Sequence, residues 1–281
     1  MPCVSPTSTS EDRPPVGGVS DNPGDSSTPA AAATPAAMPA WRPWLGFTLD
    51  AVLSMLFLVI ASVLLITPLV IAESAGSPRG TSPDALMQAI LPEVTVAAIV
   101  AMLLAAVAIW ALRGRGMSGE LARMPLRPAL AWSVIAGIGI QALVLAIDAG
   151  LRSIEAPLSP SNAEPIQALA RQWPWLTWVM VVAVGPFAEE LLFRHVLLRR
   201  FALAGRALAG LVATSAIFAL LHELGQTGDR SLGAWLGILS VYLVMGMGFG
   251  LVYLRTGRFW AAFAAHAACN ATAMSLAAFS T

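Results

Sequence analysis

Residues 185–195 read Gly-Pro-Phe-Ala-Glu-Glu-Leu-Leu-Phe-Arg-His, and they set two carboxylates, a guanidinium and an imidazole inside an apolar run over 175–198. About 20 apolar residues cross the hydrocarbon core of a bilayer as a helix, so this run is long enough to span. Each charge at the middle of a lipid-facing helix costs about 2.5–3.5 kcal/mol on insertion scales. Glu189, Glu190, Arg194 and His195 must therefore face partners or water. Ionisable groups at such depth are functional-site candidates by default.

Outward from this stretch the chain is of one kind. Of its 281 residues, 57% are hydrophobic and only 11% charged, with a mean hydropathy of +0.73. A soluble domain carries about 25% charge. Seven apolar runs read as spanning helices, over 45–72, 85–112, 129–147, 175–198, 207–221, 233–254 and 259–279, the fifth of them short. Residues 162–173 form a candidate eighth piece, re-entrant or interfacial. The expected fold is all-α: a polytopic transmembrane bundle of about 7–8 helices around an intramembrane polar cavity.

Ahead of the bundle, residues 1–40 are rich in Pro, Ser, Thr and Ala, with four acids and one Arg. They hold too few large apolar residues to fold alone and read as a disordered cytoplasmic tail, leaving 41–281 as the transmembrane domain. The tail lacks the basic-then-apolar layout of a cleaved signal peptide, so the first span is expected to stay as an anchor. A net charge of zero gives no footing for nucleic acid. Cys3 and Cys269 form neither a zinc spacing nor a disulfide framework.

All sixteen basic residues are arginines, and ten of them (Arg42, Arg113, Arg115, Arg123, Arg127, Arg199, Arg200, Arg206, Arg255 and Arg258) fall on one side of the seven-span scheme. Four fall on the other: Arg79, Arg152, Arg171 and Arg230. This asymmetry predicts a multi-pass plasma-membrane protein with its N-terminus in the cytoplasm. Among the acids of the first three spans, Asp50 and Asp148 lie near helix ends, where the interface can solvate them. Glu93 follows Pro92 at a candidate helix break, contact with a functional cavity being the lesser reading. No internal repeat is visible, which counts against a transporter of the inverted-repeat kind.

Three polar patches stand in the last four runs. In Glu189-Glu190-x-x-x-Arg194 the adjacent carboxylates lie about 100° apart on a helix and cannot share a face. Glu190 can pair with Arg194 one turn on, which leaves Glu189 for other work; an ion-pair brace for the bundle is the plainer alternative. The second patch is Phe218-x-x-x-His222 and the third is His266-x-x-x-Asn270, each with both side chains on one helix face. Taken singly, they could be an interfacial histidine and an interhelical hydrogen-bond pair. Rise per residue puts Glu189 ~22 Å before the hairpin turn at Ala204-Gly205 and His222 ~27 Å after it, so the two reach comparable depth. Measured from the nearest arginines, His222 is too deep and needs tilt to join the others.

These motifs, in this order and spacing, resemble the CPBP family of intramembrane proteases, also called the ABI or type II CAAX prenyl endopeptidase family. The resemblance covers about 175–278, with His195 as a departure where many members carry Gly. It implies a glutamate-dependent endopeptidase acting on a membrane-associated or lipidated peptide or protein. Carried over, Glu189 activates water and His222 positions that water. His266 and Asn270 stabilise the oxyanion, while Glu190, Arg194 and Phe218 support the site. No cofactor is expected. The alternatives are a zinc-type metal on Glu189, His222 and His266, or a non-catalytic scaffold or immunity protein of the same fold.

Overall fold

The computed structural model describes residues 39, 41–117, 119, 121–153, 160–223 and 231–279. Nearly all of the expected tail, Cys3 and Arg230 lie outside these. Nine helices account for the described elements: α1 (Arg42–Gly76), α2 (Pro83–Ala89), α3 (Leu91–Gly114), α4 (Leu126–Arg152), α5 (Ala163–Gln172), α6 (Pro174–Leu203), α7 (Ala207–His222), α8 (Leu232–Thr256) and α9 (Phe259–Phe279). Among the described residues there is no strand.

Helices α1, α3, α4, α6 and α8 are long and apolar enough to cross a membrane. The fifth run is a 16-residue helix, short as expected, and the seventh is a 21-residue helix diluted by His266, Asn270, Thr272 and Ser275. The candidate eighth piece is α5, a 10-residue amphipathic helix. Large apolar side chains face outward: on α1, Val63 and Leu64 are 57% and 67% exposed. Water would not tolerate that many outward apolar groups, whereas lipid does.

The ends of the helices follow local rules. Pro83, Pro92 and Pro174 sit in first turns, where their missing N–H costs nothing. The Ser82 and Ser231 hydroxyls cap α2 and α8 by accepting the N–H of Ala85 and Ala234. Gly257 ends α8 at φ 67°, and a Cβ there would lie 1.5 Å from the Leu121 carbonyl oxygen.

Small residues set how closely the helices approach. On α4 the buried face is Ala129, Ser133, Gly137 and Gln141, at four-residue intervals. It meets Ala261, Ala265 and Cys269 of α9, and a Cβ on Gly137 would stand 2.1 Å from the Ala265 carbonyl oxygen. Backbone contact of this kind is how membrane helices gain packing energy without a hydrophobic drive. It fixes α9 immediately beside His266. Cys269 packs in this seam, its thiol 3.5 Å from Gln141 Oε1.

Asp50 corrects the sequence reading. It is wholly buried rather than solvated at an interface, and it accepts hydrogen bonds from Arg113 of α3 and Arg200 of α6. Arg200 reaches it by lying across Gly46, where a Cβ would be 2.6 Å from its Nη1. The pairing joins the start of α1 to the ends of α3 and α6. Asp148 does sit near a helix end, bonded at 2.8 Å to the exposed Arg152.

Candidate active site

The widened turns of α6 shape the site. Residues Val179–Val184 and Leu191–Leu198 form i→i+5 turns on either side of the regular segment Gly185–Glu190. Such turns are uncommon and concentrate at functional sites. Gly185 donates its N–H to Met180, five residues back. Pro186 has no N–H to give the next carbonyl in that register, Val181. Asn270 of α9 supplies it instead, its Nδ2 donating to the Val181 oxygen at 2.9 Å. One missing hydrogen on α6 thus anchors α9.

The two glutamates part as adjacent helical positions must. Glu190 is fully buried, with Oε2 3.0 Å from Arg194 Nε and Oε1 3.0 Å from His266 Nδ1. The contact to Arg194 is ionic, the N–H lying off the line to the oxygen. Arg194 gives a second N–H to the Gly246 carbonyl at 3.2 Å, and its guanidinium lies over Phe218 and Phe249 at 5.3 and 5.9 Å from their ring centres. Glu189 turns the other way, into a cavity of about 340 Å³. Its Oε2 stands 4.0 Å from His222 Nε2 and 3.8 Å from His266 Nε2.

Each imidazole is held on its far side. His222 Nδ1 is 2.8 Å from the Phe218 carbonyl oxygen, which can only accept, so that nitrogen carries the proton. His266 Nδ1 faces the Glu190 carboxylate, which accepts likewise. Both Nε2 atoms are thereby turned to Glu189. The His266 ring stacks on Phe249 at 4.2 Å, and the His222 ring meets Phe218 at a tilt at 4.3 Å and stacks on Tyr242 at 4.2 Å.

The depth mismatch of His222 resolves through the lean of side chains. Helical side chains point toward their own N-terminus, over the preceding turn. His222 therefore reaches back toward the hairpin turn and covers Phe218, while Glu189 reaches away from it. The two lean toward a common level, and His222 meets the others within 4.0 Å.

The structure gathers Glu189, His222, His266 and Asn270 at one cavity, with Glu190 and Arg194 directly behind it and Phe218 beneath the His222 ring. His195 stays out, packing edge-on against Phe259. Glu93 accepts from Gln172 of α5 at 3.1 Å and does not line this cavity. Tyr242, Phe249, Ser161 and Asn162 went unforeseen, because aromatic stacking and loop contacts have no signature in spacing. Apolar walls come from Leu91, Val94, Ile99, Met102, Ile166 and Met245.

The donor types are those of a zinc set, two imidazoles and a carboxylate. As placed they do not fit one ion: bonds of about 2.0–2.2 Å would draw the donor atoms closer together than 3.8–4.0 Å. Among the described residues, no three His, Cys, Asp or Glu side chains gather closely enough to hold a metal.

Residues 171–272 match the family model described as Type II CAAX prenyl endopeptidase Rce1-like. This segment is similar to that family. It holds every polar patch from Glu189 to Asn270, in keeping with the CPBP resemblance of the motifs, while 1–170 lie outside the match. The Rce1-like segment supports a protease of the CAAX type, in a bilayer setting and with a peptide substrate. No curated protein and no solved structure gives a match to the chain.

Proposed function

We propose that the protein is an intramembrane endopeptidase that hydrolyses a peptide bond of a membrane-associated or lipidated protein or peptide, with Glu189 as general base. The observation that carries this is the convergence of Glu189 Oε2 on two imidazole Nε2 atoms, 3.8 and 4.0 Å away, at a cavity whose walls are mostly apolar. Those gaps are too long for direct hydrogen bonds, which leaves the Glu189 carboxylate for a water in the cavity. A hydrolytic water between Glu189 and His222 gives one hydrogen to each, which turns a lone pair toward the scissile carbonyl. Glu189 takes the proton as the C–O bond forms, then passes it to the departing amine. The developing oxyanion is met by the remaining N–H of Asn270 and by the His266 ring. Glu190, tied to Arg194, keeps the His266 ring turned to the cavity. No metal takes part. In the cell the protein sits in the plasma membrane with its N-terminus cytoplasmic, as the arginine asymmetry favours.

A second reading has its own observation. Glu190, Arg194 and His266 form a network buried to 0%, 0% and 3% exposure, which would brace a non-catalytic scaffold or immunity protein equally well. One experiment separates them. Wild type and Glu189→Gln, purified in detergent, are compared for cleavage of a membrane-peptide library and for thermal unfolding. The protease reading expects loss of cleavage with unchanged unfolding. Equal cleavage by both would defeat Glu189 as base, and a variant that fails to fold would favour the brace.

A further inference from the structure

Nothing in the motifs accounts for the residues that hold His222 from the cavity side. Its ring stacks on Tyr242 of α8 at 4.2 Å with planes 29° apart. The Tyr242 hydroxyl donates to Asn162 Oδ1 at 3.2 Å. Beside Asn162, the Ser161 hydroxyl donates to the main-chain oxygen of His222 at 2.6 Å, and the Ser161 N–H donates to Glu223 at 3.2 Å. Two neighbouring residues ahead of α5 therefore grip His222, one through its backbone and one through the ring stacked on it.

The same short helix lies against the cavity. Asn162, Pro165 and Ile166 line it alongside Glu189. Further bonds hold α5 to the α2–α3 side: Gln88 Nε2 donates to Glu164 Oε1 and Gln172 Nε2 donates to Glu93 Oε1, both at 3.1 Å. These amide–carboxylate bridges are exposed and so contribute little individually. The contacts to His222 are the buried end of the arrangement, Tyr242 being 7% exposed.

We propose that Tyr242 is a positioning residue for His222, locked by Asn162, so that the seating of α5 over the cavity sets the orientation of the imidazole. The inference rests on the proteolytic reading above and adds the control of one of its groups. The His222 main chain is the last turn of α7, and only Phe218 holds the ring from within its own helix. A ring fixed at one edge can still swing about its bond to the chain; stacking on Tyr242 removes that freedom. The Tyr242 hydroxyl is tied to Asn162 at the start of α5. A peptide that enters against Ile166 therefore meets an imidazole already aimed at Glu189.

The test uses Tyr242→Leu, Tyr242→Phe, Asn162→Ala and the double variant Tyr242→Phe/Asn162→Ala in the full-length protein. Tyr242→Leu is expected to lower kcat by about 10- to 100-fold, the usual cost of losing a residue that orients a reacting one, with KM changed less than about threefold. Tyr242→Phe keeps the stack and should lose only several-fold. Asn162→Ala should match it, and the double variant should be no worse than either single change, since both cut the same bond. A second readout needs no turnover. The chain has only 3 histidines, so the ring signals of His222 in histidine-labelled protein can be assigned by single replacements. The Tyr242 ring shields those protons; Tyr242→Phe should keep the shift and Tyr242→Leu should lose it. An unchanged His222 signal and kcat in Tyr242→Leu would overturn the proposal, as would additive losses in the double variant. If wild type cleaves nothing, the proteolytic reading falls by itself, and the His222 signals still decide whether Tyr242 positions the ring.

Discussion

Two carboxylates inside this bundle, Asp50 and Glu189, differ in one respect. At one end, Asp50 is closed off by Arg113 and Arg200 in direct contact. Deeper in, Glu189 faces two imidazoles at 3.8 and 4.0 Å and touches neither. The first carboxylate has spent its acceptor capacity on the fold. The second has been brought near its partners and held short of them. Its immediate neighbour Glu190 behaves like Asp50, one oxygen in ionic contact with Arg194 and the other bonded to His266. The contrast teaches that a charge closed by its partners braces the bundle, whereas one held short of direct bonds to them keeps its acceptor capacity for other work.

The sharpest way to break the comparison is to remove the charge at each place. Glu189→Gln should lower kcat/KM by about 100- to 10,000-fold, the range for a general base, while thermal unfolding in detergent stays within a few degrees. Asn270→Ala comes next. Loss of an oxyanion donor costs about 100- to 1000-fold in kcat, and its Val181 bond adds only ~1 kcal/mol of stability. A rate loss no larger than the loss of folded protein would make Asn270 a tether only. Asp50→Asn should do the opposite. It leaves two arginines underpaired and should destabilise by about 3 kcal/mol, the low end for a broken buried pair because the Arg113 side chain is 32% exposed, with kcat per folded molecule unchanged.

Two smaller effects sharpen the contrast further. Strong chelators should change cleavage less than about twofold, against the near-total loss expected of a catalytic zinc. Abolition by chelator with rescue by added zinc would hand Glu189, His222 and His266 to a metal. Deleting Met1–Ala37 should change neither membrane insertion nor cleavage rate, measured on reconstituted protein, if 41–281 suffices as a domain.

Much of this was legible in the chain because membrane folding writes in large letters. Spans follow from long apolar runs, and the two faces of Glu189 and Glu190 follow from helical geometry alone. What escaped depended on contact between helices. The Val181 carbonyl beside Pro186 finds its donor in Asn270, 84 residues after the proline, and no local window contains both. Asp50 looked solvated from its place near a helix end, since a pair with Arg200 requires Gly46 to clear the way. The binding of His266 by Glu190, rather than by Glu189, is a matter of which helix α9 lies against. The role of α5 was invisible for the same reason: Ser161 and Asn162 resemble any loop until His222 and Tyr242 are beside them.

Pro186 has one more consequence. Because Asn270 must feed one of its amide hydrogens to the Val181 oxygen, the group cannot rotate, and its second hydrogen points along a single line. A substrate carbonyl able to meet that hydrogen while exposing its carbon to Glu189 has to arrive from one side only. The direction in which a peptide threads the cavity, N-to-C or the reverse, would then be dictated by an absent proton on a proline, and a pair of peptides with inverted sequence should be cut unequally even when their side chains are the same.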